Sequence, residues 1–333
     1  MRRLVSGIVA ALALCGASVA KDRAPDWLVT ASQLQTPSYE AEVPGVVLLK
    51  EESVSVSAEG VVTTRERYAV KILNRKGLKL ARASAIYDTR SSKVQSLDAW
   101  IIYPSGQLKQ FGKKETADAA LTSNDIYNEI RMKLIVGDSS IDPGSVWGFE
   151  SVVEDRSIFT QFLYSFQNAL PTLSSRFSLT LPAGWRATTE TFNAEPIEGS
   201  VEGSRTTWTL ADLPWIRNEQ ARPSIAALAP RIAVSYFPPE TAQGLGPSFE
   251  SWEQVSTWLA ALHEPRAQPD AAVQAKAAEL TAGATTELDR VAAIARYAQN
   301  VKYVSIQTGV GRGGGYEPHA ASEVLAKSYG DCK

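Results

Sequence analysis

A change of hydrophobic period partway along the chain is the feature that most constrains its fold. Between about residues 44 and 215, short runs rich in Val, Ile, Tyr and Phe recur at 46–56, 61–73, 78–87, 97–103, 130–136, 146–153, 159–166, 177–181 and 206–210. They are punctuated by Glu59-Gly60, Asn74-Arg75-Lys76-Gly77, Pro104-Ser105-Gly106, Asp142-Pro143-Gly144, Pro182-Ala183-Gly184 and Glu202-Gly203. Pro and Gly reverse a chain for distinct reasons: one presets φ and the other tolerates positive φ. Within the runs, Ser53-Val54-Ser55-Val56 and Arg67-Tyr68-Ala69-Val70-Lys71-Ile72 alternate polar and apolar residues. A period of two puts alternate side chains on opposite faces of a sheet, one buried and one wet. The pattern predicts an antiparallel β-sandwich domain over 44–215.

From about Pro247 the period lengthens. Phe249, Trp252, Val255, Leu259 and Leu262 recur every three or four residues, with Ser248 or Ser251 available as N-cap, which predicts an amphipathic helix. Pro269-Asp270 opens a second, Ala-rich helix that Gly283 should end. A third starts at the capping-box-like Thr286-Glu287-Leu288-Asp289 and carries Leu288, Val291, Ile294, Ala295 and Ala298 on one face. The connecting segment 216–246 is Pro-rich, yet its Ile232-Ala233-Val234 run predicts a packed crossover strand rather than a free linker. The expected class is α+β, with a helical region over 247–333.

The first twenty residues have the anatomy of a signal peptide. Arg2 and Arg3 precede an apolar run from Leu4 to Cys15, and Ser18-Val19-Ala20 offers a small-x-small cleavage site after Ala20. The run is too short for a membrane span, and bulky Leu14 disfavours lipidation of Cys15. The expected location is periplasmic or secreted, with no stable membrane span after cleavage. The chain carries 34 basic and 36 acidic residues, two of the basic ones in the leader, so no electrostatic footprint for nucleic acid survives. Cleavage leaves Cys332 as the single cysteine, and no intramolecular disulfide can form. Such a thiol is either buried and inert or kept for chemistry.

Three other features invite functional readings. Gly309, Gly311 and Gly314 fit the spacing of a dinucleotide-binding turn, but Gly315-Tyr316-Glu317-Pro318 follows them instead of a helix, so they predict a Gly-rich loop. His263 falls at the end of the first helix, a favourable place for a histidine. His319 lies thirteen positions before Cys332; a Cys/His pair would supply nucleophile and base, but Pro318-His319 is also an ordinary helix start. Neither histidine has neighbours at metal-ligand spacing, and no cofactor is implied. The eight tryptophans are expected mostly in cores.

The C-terminal stretch carries the most specific signal. Tyr303-Val304-Ser305-Ile306, Gly315-Tyr316-Glu317-Pro318, Ala321-Ser322-Glu323-Val324-Leu325 and Gly330-Asp331-Cys332-Lys333 resemble the entry to the transglutaminase-like core of exported bacterial proteins, a papain-like arrangement. The strand-rich region upstream, with its Asp142-Pro143-Gly144 turn, resembles the domain of uncharacterised function that commonly precedes such cores. Together the resemblances span about 45–333. They imply that Cys332 is a nucleophile at the first turn of a helix, where the helix dipole favours its thiolate. Gly330 would allow a sharp approach to that helix, and Asp331 would act in capping.

In the family the thiolate attacks a carboxamide or peptide carbonyl, and an amine or water completes the transfer. The implied partner is a protein or cell-wall peptide substrate. The family's histidine and aspartate follow the cysteine, and no position here matches them. The expectation is therefore an incomplete sequence, inactive as it stands, whose helical half exposes apolar surface. The rival expectation is a non-enzymatic exported β-sandwich binding protein with a degenerate transglutaminase-like unit.

Overall fold

A computed structural model describes residues 23–121, 130–138, 140–156, 159–239, 247–303 and 316–330. Helix α1 (Asp26–Ser32) precedes strands β1 (Gly45–Val56), β2 (Val62–Ile72), β3 (Arg82–Asp88), β4 (Ser92–Ile102), β5 (Leu108–Phe111), β6 (Ala117–Ala120) and β7 (Ile130–Val136). There follow β8 (Val146–Asp155), β9 (Gln161–Ser165), β10 (Thr172–Thr180), β11 (Arg186–Phe192), β12 (Ser200–Glu202), β13 (Arg205–Leu213) and β14 (Arg231–Phe237). Helices α2 (Trp252–Ala267), α3 (Ala271–Thr281) and α4 (Glu287–Ala298) come next, then β15 (Lys302–Tyr303), α5 (Ala321–Lys327) and β16 (Tyr329–Gly330).

Strands β12-β13-β10-β1-β2-β8-β4-β5 form one eight-stranded sheet. Two three-stranded sheets, β3-β7-β6 and β11-β14-β9, pack apolar residues against it. The first shares a core containing Ala83, Ala85 and Ile135 with Val70, Ile72, Ile101 and Trp147 of the large sheet. The second places Tyr164, Ile232, Val234 and Tyr236 against Val54, Phe177, Leu179 and Trp208. The opposite face of the large sheet carries α1, whose Leu28 is fully buried among Val46, Leu48, Ala69 and Trp100. The chain is thus a mostly β, multi-sheet α+β protein. Strand β14, from the Pro-rich connecting segment, is the middle strand of its sheet, paired with β9 and β11.

A bulge in β1 decides which side chains face which core. Before it, Val46 and Leu48 point at α1 and Val47 at the opposite core. The register against β2 shifts between Val47 and Leu49, and an extra residue on one strand reverses the parity of all that follow. Beyond the bulge the even positions, Val54 and Val56, turn to the core shared with β14.

The structure corrects several expectations. One pair in the large sheet, β1 with β10, is parallel rather than antiparallel; local alternation predicts strands but not which distant strand each will join. The polar stretch before residue 44 contains α1, a seven-residue helix too short to show a period and held by burial rather than by propensity. The run at 78–87 begins as a 3-10 turn, Arg75–Leu80, before β3. In the helical region Ser251, Asp270 and Thr286 cap α2, α3 and α4, and the Thr286/Asp289 capping box closes on both sides. The apolar face of α4 is open to solvent: Leu288 is 75% and Val291 57% exposed. Trp252, at 87% exposure, is likewise outside any core.

Gly148 shows why α1 sits where it does. A Cβ there would lie 2.4 Å from Leu28 Cδ1, so the glycine makes the notch that Leu28 fills. Replacing Leu28 with alanine is expected to cost about 3 kcal/mol, read as a lowered urea midpoint with unchanged slope.

Candidate functional site

The C-terminal constellation is assembled by a short parallel pairing. Lys302 lies opposite Tyr329 and Tyr303 opposite Gly330. Helix α5 turns into β16 through Ser328, which adopts a left-handed conformation (φ 55°, ψ 29°), and the Ser328 carbonyl accepts from Lys302 N at 3.0 Å. The segment bearing Cys332 leaves from Gly330; Cys332 itself, with Asp331 and the Gly309, Gly311 and Gly314 loop, lies outside the described residues. A Cβ on Gly330 would meet Val324 at 3.5 and 3.6 Å, ordinary contact distances. The described surroundings therefore do not require glycine there.

His319 stands edge-on to Tyr329, ring centroids 6.2 Å apart, with its side chain almost fully buried. Its Nδ1 comes within 3.5 Å of Glu323 Oε2 but makes no hydrogen bond to it; the pair is electrostatic at most. Glu323 bonds instead to Lys327 Nζ at 2.5 Å. That contact raises the Lys327 pKa and holds the Glu323 carboxyl below its ordinary value.

His263, expected only to close a helix, does more. Its Nε2 lies 3.0 Å from the Tyr316 carbonyl oxygen; since a carbonyl only accepts, Nε2 carries the proton. One turn away, Arg266 Nε donates to Glu317 Oε1 at 2.8 Å. Tyr316 also joins Trp258, Phe159 and Phe249 in an aromatic cluster, with centroids 5.4 Å apart for Phe159–Tyr316 and 5.6 Å for Trp258–Tyr316. Phe159 lies just before β9, so the cluster joins the helical region to the β-rich region. An ion pair between Arg186 on β11 and Glu250 bridges the same two parts.

Sequence reasoning missed a second constellation, at the seam between the two cores on one face of the large sheet. Past the β1 bulge, Lys50 and Glu52 share the face of Val54, and on β2 Glu66 and Tyr68 share the face of Val70. Glu52 pairs directly across from Glu66, and Lys50 from Tyr68. Lys50 Nζ sits 3.6 Å from the centroid of the Tyr164 ring and donates to the Ser165 carbonyl at 2.7 Å. The Tyr164 hydroxyl lies 3.0 Å from Ser175 Oγ, and Asn168 Nδ2 donates to the Tyr68 hydroxyl at 3.2 Å. Among the described residues, no side-chain or backbone donor bonds the carboxylate of Glu52 or of Glu66.

Burial dominates the electrostatics of this seam. It pushes the Glu66 carboxyl up to about 7, helped by Glu52 opposite and opposed by Lys50. Glu52 is raised for the same first reason, with Lys50 working against it. Burial also lowers the Lys50 ammonium to about 8, although both glutamates favour its charge, and it lifts Tyr68 to about 12.

A raised carboxyl pKa favours the folded state while the proton is bound, and that stability is lost as pH rises from the unfolded value through the folded one. Wild-type stability should therefore fall between about pH 4.5 and 7. Glu66→Gln should remove most of that slope and raise stability near pH 7 by on the order of 2 kcal/mol, measured as urea midpoints across the range.

Elsewhere, a groove of about 940 Å³ opens between β11 and the β12–β13 edge, with Trp185, Trp208, Ile197, Thr189, Thr206 and Glu190 among its lining. Among the described residues no group of three His, Cys, Asp or Glu could hold a metal ion. No helix among them is long and apolar enough to cross a membrane.

Fold and site define an α+β protein in which a large β-rich region is joined, through an aromatic cluster, to a small helical region ending in the Cys332 segment. Residues 58–217 match a domain of unknown function with a solved structure (DUF3857). A crystal structure from Parabacteroides distasonis, named a "putative protease", superposes with a TM-score of 0.65 at 14% identity. The match covers 86% of this chain and 56% of that one, so the chain spans little more than half the length of that relative, and at this identity the likeness concerns the fold. Yeast LTA4 hydrolase in complex with bestatin superposes with a TM-score of 0.30 at 9% identity, covering 63% of this chain and 33% of that one. An M1 zinc metallopeptidase from Deinococcus radiodurans gives 0.28 at 12%, covering 58% and 42%. Likenesses that weak carry no argument. No curated protein matches by sequence.

Proposed function

We propose that this chain belongs to an exported, thiol-dependent acyltransferase or amide hydrolase, with Cys332 as nucleophile. In this reading 1–20 is the export leader, 44–215 a β-sandwich, 216–246 its connection, and 247–333 the nucleophile-bearing part of a transglutaminase-like core. The Sγ thiolate attacks the carbonyl of a protein or cell-wall peptide amide. The new C–S bond replaces the C–N bond, and the amine leaves with a proton. Water or a second amine then cleaves the thioester and restores the thiolate.

One observation carries the reading: the Tyr303–Gly330 pairing holds Gly330 just after α5, and the sequence continues from that glycine as Asp331-Cys332, with the only cysteine outside the leader. Two further findings support it. The P. distasonis structure that shares the fold is named a "putative protease", and the exposed Leu288, Val291 and Ile294 stripe on α4 suits a helical layer that packs against more protein.

Thiol reactivity tests the proposal in the natural gene product. Cys332 is expected to alkylate with iodoacetamide at neutral pH at least about tenfold faster than free cysteine, with the fast rate persisting well below the pKa of a free thiol. A slow, shielded thiol would favour the second reading, an exported binding protein. The specific observation behind that alternative is the groove walled by Trp185 and Trp208, which is large enough for a small ligand.

A further inference from the structure

We propose that the Lys50–Glu52–Glu66 cluster is a proton-binding site that sets how firmly β9 is held to the large sheet and, through Phe159, how the aromatic contact with α2 is made. The argument starts from charge counting. Glu52 and Glu66 face each other across the β1–β2 pair, with Cβ atoms of such a pair about 5 Å apart, and Lys50, two positions from Glu52 on β1 and opposite Tyr68, brings one ammonium to the same face. Two carboxylates and one ammonium are neutral only with one proton bound. Losing that proton leaves an extra negative charge where solvation is poor.

Among the described residues, no other charge on the facing strands compensates it. From β8 the residue opposite Glu66 is Ser151, flanked by Phe149 and Val153. From β10, Ser175 and Phe177 lie opposite Lys50 and Glu52. From β9 comes Tyr164, whose ionisation burial opposes and both glutamates oppose further. From the segment after β9 comes the neutral Asn168, on the Tyr68 hydroxyl.

The ammonium is shared between two claims. It donates to the Ser165 carbonyl and covers the Tyr164 ring, both on β9, and it also answers the carboxylates. With one glutamate protonated, β9 keeps the ammonium. With both ionised, the doubled negative charge draws it away, and β9, an edge strand paired with β14, is left tied to β1 by the Tyr164 hydroxyl's bond to the Lys50 carbonyl. Phe159, two residues before β9, contacts Trp258 and Tyr316, so the change reaches α2 and the residues just before α5. This gives the β-rich region a physical means of influencing the Cys332 end, and it holds whether or not that cysteine is catalytic.

The test is a native-state NMR titration of the whole chain from about pH 5 to pH 8, following β9 amides and the Trp258 indole. Both are expected to shift along one curve with a midpoint near 7, and Glu66→Gln is expected to remove that curve while the spectrum stays that of the folded protein. A His263→Gln variant, which removes the imidazole bonded to the Tyr316 carbonyl, is expected to keep the curve. A curve that persists in Glu66→Gln, a curve confined to β1 and β2, or no curve at all overturns the proposal.

Discussion

Replacing Lys50 with methionine is expected to lower stability by on the order of 2 kcal/mol near pH 7 and by much less near pH 5, the three side chains of the cluster being half-buried. Methionine fills a similar volume beside Tyr164, so the loss is electrostatic and polar in origin rather than a cavity effect. It removes the donor to Ser165 and the cation over the Tyr164 ring, and leaves Glu52 and Glu66 facing each other without the charge that favours their ionised forms. Breaking a half-buried charge cluster from one side is costly because the remaining charge is poorly compensated.

The sign of the pH dependence follows directly. In the variant both folded carboxyl pKa values rise further above the unfolded value, so the folded state binds more protons and stability declines as pH increases. As pH falls the pair takes up protons and the penalty shrinks. Urea midpoints at the two pH values check this; an equal loss at both would show that packing, not charge, holds the seam.

Much of the β-rich region is legible in the sequence because half-buried strands alternate. The runs at 46–56, 61–73, 130–136 and 146–153 correspond to β1, β2, β7 and β8, and the Ile232-Ala233-Val234 run is buried or half-buried in β14. Strands β5, β6, β11 and β12 escape that reading because they are short or largely exposed edges with no alternation to show. The parallel β1–β10 pair escapes it because register between distant strands has no local signature.

The ionisable seam was partly visible. Lys50, Glu52, Val54 and Val56 share one parity, as do Glu66, Tyr68, Val70 and Ile72, so charges occupy positions that alternation assigns to a core. What hid it was the β1 bulge, which changes the face those residues take, and the absence of any sequence sign that Glu52 and Glu66 are opposite one another. At the C-terminal end the helix caps at Ser251, Asp270 and Thr286 were readable from spacing. The bond between His263 and Tyr316 was not, because it spans 53 positions.

The largest effect on activity is expected at Cys332. A covalent nucleophile cannot be replaced by neighbouring groups, and removal of such a residue typically costs on the order of a millionfold in turnover. The direct measurement uses the natural gene product with casein as acyl donor and a biotinylated primary amine as acceptor, scoring both amine incorporation and casein cleavage. The account predicts that the wild type performs one of these reactions and that Cys332→Ala performs neither while unfolding at the same urea midpoint. Equal activity in the two proteins would contradict it.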